Sequence, residues 1–117
     1  MYLYKFISTI IWGITIVNID DLSEKDFHKD YLKNLTRNKV DISHHGRKRI
    51  NKRHVGVEEI KDLLTERFPK KIHKNEDGDF EILYDSPDKD EKADIVIIVV
   101  PLDPISKTIR VVTVYKK

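Results

Sequence analysis

The chain has 117 residues, 22 basic and 20 acidic, with a formal charge of +2. That length predicts a single domain, with one core of helices against a small sheet. The absence of cysteine excludes a disulfide framework, thiolate zinc sites and a cysteine nucleophile.

Residues 1–19, MYLYKFISTIIWGITIVNI, are apolar but rich in β-branched side chains and interrupted by Lys5 and Asn18. The composition predicts a buried strand over 10–19, with an earlier strand over 2–8 and Gly13 at the bend. A membrane anchor and an oligomer contact are the alternatives, because about twenty apolar residues suffice to cross a bilayer. Asp20 or Asp21 is then placed to cap a helix over 23–35, with Ser23-x-x-Asp26 a weaker start signal. Phe27, Tyr31, Leu32 and Leu35 give that helix an apolar face at spacings of three and four. Residues 36–40 read as a connection, and a basic helix follows over 43–53.

The chain turns at 54–56, and Gly56 with Glu59 then opens a helix that runs to Phe68, where Pro69 stops it. Ile60, Leu63, Leu64 and Phe68 form its predicted apolar side. A polar turn, Asn75-Glu76-Asp77-Gly78, introduces three closing strands over 80–85, 94–101 and 108–116, separated by loops at 86–92 and 103–107. The run Ile95-Val96-Ile97-Ile98-Val99-Val100 is apolar on both faces, so the middle strand is expected to lie centrally. Simple alternation in the last strand groups Thr113 and Tyr115 with Ile109 and Val111, and Arg110 with Val112, Val114 and Lys116.

The most informative segment is the basic one. His45, Arg49 and Arg53 are four residues apart and fall on one helical stripe, and Arg47, Lys48, Lys52 and His54 add charge with no acid between Asp41 and Glu58. Cleaving RNA without a metal requires a base for the ribose 2′-OH, an acid for the departing 5′-oxygen and cations for the phosphorus oxygens. Histidine suits the proton steps and arginine the charge. The hydroxyls of Thr113 and Tyr115 are further candidates for the site. A structural role competes for each of these residues: exposed bases solvate a helix, Arg49 and Arg53 can pair Glu81 or Asp85, and Thr and Tyr are good strand formers. Adjacent His44 and His45 diverge on a helix, and the spacings H-x3-H and H-E-x-x-H are both missing, so no metal or other cofactor is expected.

His45-x3-Arg49-x3-Arg53, followed by Val55, a helix containing Glu58-Glu59-Ile60 and a last strand from Ile109 to Tyr115, resembles a small domain family of unknown function. Its pattern is H-A-x-x-R-M-x-x-R-x-I-x-x-x-x-I followed by two or three strands. The family is grouped with barnase, EndoU, colicin and RelE ribonuclease-like folds, near the BrnT and RelE toxins. The likeness spans residues 42–116, with Gly46 where alanine is usual and His54 where glycine is usual. The apolar segment 1–19 is not part of that pattern, and the element order itself gives an α+β domain over 20–117, with an N-terminal strand and helices on one face of a C-terminal antiparallel sheet of three to four strands. The opposite face is left partly open for a ligand. The resemblance implies His45, Arg49, Arg53, Thr113 and Tyr115 as site residues of a toxin-type endoribonuclease, with RNA and an antitoxin protein as partners. His54 is either a gained catalytic group or a helix end. A nucleic-acid- or protein-binding module of the same fold is the alternative function, and a homodimer the alternative partner. The expected location is the cytoplasm, with membrane association through residues 1–19 as the alternative.

Overall fold

The computed structural model describes residues 9–11, 14–16, 19–43, 47, 56–86 and 92–117. Near the N-terminus, β1 (Thr9–Ile11) and β2 (Ile14–Ile16) pair antiparallel, with Thr9 opposite Ile16. β-Branched residues favour this extended pairing. A short hairpin thus replaces the single strand expected over 10–19, the earlier strand expected over 2–8 lies outside the described residues, and the pair forms its own two-stranded sheet, apart from the main one. Among the described residues, no helix is long and apolar enough to cross a membrane.

Ile19–Asp21 form a 3-10 turn, and α1 (Glu24–Phe27) begins after it. Its cap is Ser23, which corrects the expectation of Asp20 or Asp21. Ser23 has the extended backbone of a cap (φ −83°, ψ 167°), and its hydroxyl accepts the Asp26 N–H at 3.2 Å. Leu22 before the cap and Phe27 four positions after it are both buried in the core, the arrangement of a hydrophobic staple. The helix continues as a π-turn, His28–Leu32, closed by Lys33 N–H donating to His28 O at 2.9 Å. Phe27, Tyr31, Leu32 and Leu35 are buried as their spacing predicts.

The segment read as a connection contains a 3-10 turn, Arg37–Lys39, and a short strand, β3 (Val40–Ile42). Farther on, α2 (Val57–Glu66) starts at Gly56 with Glu58 and Glu59 in its first turn, where acids complement the helix dipole. Ile60, Leu63 and Leu64 are buried beneath it, but Phe68 is 87% exposed. The helix is already broken at Arg67 (φ −112°, ψ 152°), and Pro69 disfavours helical backbone at the residue before it, so Phe68 leaves the apolar phase.

β4 (Lys71–Lys74) was not expected, because KIHK shows one apolar residue and three polar ones. It forms a hairpin with β5 (Phe80–Asp85) through a turn in which Asn75 N–H donates to Asp79 O and Gly78 takes φ 94°. That conformation favours glycine. β6 (Asp94–Asp103) and β7 (Thr108–Lys116) complete the chain close to their predicted bounds.

The main sheet has the order β3-β7-β6-β5-β4. The last four strands form an antiparallel meander that returns β7 to lie parallel to β3. The α+β class is therefore present, but the sheet is five-stranded and mixed rather than a three- to four-stranded antiparallel one. β6 is the middle strand, as its apolar run requires. The helices share one core with the sheet: Phe27 stacks on Phe80 with centroids 4.1 Å apart and planes 6° from parallel, and Phe27 also stacks on Tyr31. Glu24 Oε2 accepts the Lys74 backbone N–H at 3.2 Å and Lys74 Nζ donates to Leu22 O at 2.7 Å, which ties α1 to the edge strand β4.

Candidate functional site on the open face of the sheet

Strand register sorts the sheet residues into two faces. Ile82, Ile97 and Val114 are aligned across β5, β6 and β7, and all are buried toward the helices. Glu81, Ile98 and Thr113 form the matching row on the other face, with Leu83, Val96 and Tyr115 in the next row. His73 and Lys71 on β4 extend these two rows, opposite Glu81 and Leu83 respectively.

This assignment corrects the expected grouping of the last strand. The register slips between Ile98 and Val99, whose partners are Thr113 and Val111, so Val112 is the extra residue of a β-bulge. The alternation changes phase there. Ile109, Val111 and Val114 face the core, whereas Arg110, Thr113 and Tyr115 face outward.

Tyr115 donates its hydroxyl to Glu81 Oε1 at 2.9 Å, reaching diagonally across β6. Half-buried Leu83 and fully buried Val96 lie in the row of Tyr115, and removing water around a hydrogen bond strengthens it electrostatically. Burial, followed by the Glu81 bond and charge, raises the Tyr115 phenol above its ordinary value. The phenol therefore remains a proton donor at neutral pH. His73 is exposed and stands directly opposite Glu81, a pairing that brings cross-strand Cβ atoms within roughly 5 Å. A carboxylate, an imidazole and two hydroxyl side chains thus share one accessible surface.

Ion pairs border this surface. Lys70 bonds Asp94 at 3.0 Å and reaches Asp85 at 3.3 Å, while Arg110 donates to Asp41 at 2.7 Å. Glu81 and Asp85 thus have partners in Tyr115 and Lys70. Of the predicted basic segment, Arg47 is described: it is exposed and helical, and its N–H donates to Ser43 O at 2.9 Å. Ser43 N–H in turn donates to Val111 O, so Arg47 stands one helical turn beyond the point where β3 leaves β7. His45, Lys48, Arg49, Lys52, Arg53 and His54 lie outside the described residues. The structure brings Thr113 and Tyr115 to one face and adds Glu81 and His73, which sequence reasoning did not place in the site. The signal for that pair was the chemical spacing around Gly78, but using it required recognising the short polar segment 71–74 as a strand.

Among the described residues, no group of three or more histidines and carboxylates is arranged to hold a metal ion. No protein-family model, curated protein or solved structure matches this chain. The resemblance to the H-x3-R-x3-R family therefore rests on the motif residues alone.

Proposed function

We propose that the chain is a metal-independent endoribonuclease of toxin type, with the open sheet face as the reaction surface. The observation that carries this reading is the Glu81 carboxylate, oriented by the Tyr115 hydroxyl and set opposite His73. Glu81 takes the proton of the ribose 2′-OH, whose oxygen attacks the adjacent phosphorus. The P–O5′ bond breaks, His73 as imidazolium protonates the departing oxygen, and a 2′,3′-cyclic phosphate remains. Thr113 offers a hydroxyl donor to the phosphoryl oxygens while the Tyr115 hydroxyl holds Glu81, and His45, Arg49 and Arg53 are the sequence candidates for cations that meet the growing charge. An antitoxin protein is the partner that a toxin of this kind requires.

The test is incubation of purified protein with single-stranded RNA in EDTA, with the end groups identified. Cleavage leaving cyclic phosphate is expected, with the rate falling about 10²- to 10⁴-fold in Glu81→Gln and in His73→Ala. Cleavage absent from the wild type, or unchanged in both variants, removes the reading. A binding module of the same fold is the second reading, favoured by the exposed aromatic and cationic surface described next.

A further inference from the structure

Phe68 follows the end of α2, is 87% exposed and borders two clefts. One cleft, of about 170 Å³, includes Lys33 and Arg67; the other, of about 300 Å³, includes Lys25 and Lys71. His28 borders both, and its ring is tilted 45° to Phe68 with centroids 6.3 Å apart. The carboxylates lining these clefts are Glu24 and Glu66, and the Glu24 carboxylate is engaged by the Lys74 N–H. Lys70 lines the second cleft but is held by Asp94 and Asp85. Among the described residues Lys25, Lys33, Arg67 and Lys71 make no ion pair.

A single exposed apolar side chain is ordinary on a protein surface. Here the ring borders two clefts, each carrying cations without an ion pair among the described residues, and an aromatic face near such cations suits an unpaired base with its two phosphates. A duplex hides its base faces and cannot use such a ring. An acidic peptide would satisfy the cations but has no need of a flat aromatic surface. Lys71 also lies on the same face of β4 as His73, about 7 Å along the strand, which links the second cleft to the Glu81–Tyr115 face.

We propose that Phe68 is a stacking platform for a base of single-stranded RNA, with Lys33 and Arg67 in one cleft and Lys25 and Lys71 in the other neutralising the flanking phosphates. The surface feeds the strand over β4 toward Glu81. That the strand is RNA and a substrate rests on the ribonuclease reading; binding at Phe68 stands apart from it.

The experiment measures fluorescence anisotropy of a labelled oligouridylate with the full chain, across a salt series, beside the EDTA cleavage assay. Phe68→Ala, at an exposed position, is expected to weaken binding about tenfold or more, and Phe68→Trp to retain it. Lys71→Gln lowers the salt slope by about 0.7. In cleavage, Phe68→Ala raises KM and leaves kcat unchanged, whereas Glu81→Gln lowers kcat and leaves binding intact. Unchanged affinity in Phe68→Ala overturns the platform, as does equal, Phe68-dependent binding of duplex RNA or of polyglutamate. Phe68-dependent binding of the single strand without any cleavage by the wild type supports the platform and removes the ribonuclease reading.

Discussion

The helix-covered face of the sheet and its open face are built from alternate residues of the same strands, yet they treat a tyrosine hydroxyl in opposite ways. Among the described residues, the buried Tyr84 on the covered face has no partner for its hydroxyl, and buried Tyr31 shares that condition. Tyr115 on the open face donates to Glu81 at 2.9 Å. The closed face gains stability from ring area and tolerates an unsatisfied polar atom. The open face invests a hydroxyl in orienting a carboxylate, and that difference separates scaffold from candidate chemistry.

The covered face depends most on one aromatic joint. Phe27 is fully buried and stacks on both Phe80 and Tyr31, so Phe27→Ala deletes the joint between α1 and the sheet. A loss of about 3–5 kcal/mol is expected in denaturant unfolding. A loss under about 1 kcal/mol would mean that α1 is not part of the core.

A sharper probe makes one substitution on each face. Tyr84→Phe removes an unsatisfied buried hydroxyl and is expected to stabilise by about 1 kcal/mol, whereas Tyr115→Phe breaks a bond to a carboxylate and is expected to cost about 1 kcal/mol. Alkaline pH reads the same contrast. Burial pushes the Tyr31 phenol up to about 12 and raises Tyr84 as well, and Tyr115 moves in the same direction with Glu81 assisting. Unfolded tyrosine titrates near 10. Above that pH the unfolded chain gives up protons that the folded chain keeps, so stability present below pH 10 falls as pH rises through about 10 to 12. Denaturation midpoints measured across that range should fall less steeply in Tyr84→Phe. Parallel profiles for wild type and variant would show that the phenol is not sealed.

Much of this division was legible in the sequence. The spacing of Phe27, Tyr31, Leu32 and Leu35 marked the helix face, and the run from Ile95 to Val100 marked the central strand, because long apolar patterns dominate local choices. Short edge strands leave weaker traces: β3 has three residues and β4 four, and pairing with longer neighbours determines them more than propensity does. Outward orientation of Thr113 and Tyr115 depends on the bulge at Val112, a register choice invisible to strict alternation. Phe68 was misread for a similar reason, since its apolar phase continues past a helix that Arg67 and Pro69 have already ended. Glu81 and His73 required the β4–β5 pairing before their side chains could be brought together.

Both faces meet at the edge strand β3, where the interactions are weakest. Val40 and Ile42 pair with Ile109 and Val111 on the covered face, all buried, while between them Asp41 pairs with Arg110 on the open face. About half of each charged side chain remains exposed. An ion pair of that exposure contributes roughly 0.2–1 kcal/mol, measurable as the coupling in a double-mutant cycle of Asp41→Ala and Arg110→Ala. Raising the salt to about 1 M, where the screening length is ~3 Å, should shrink that coupling further. Coupling that exceeds about 2 kcal/mol, or survives high salt, would place the pair in a protected environment. The open face would then be covered at its β3 edge, and Glu81 would be approached from the β4 side alone.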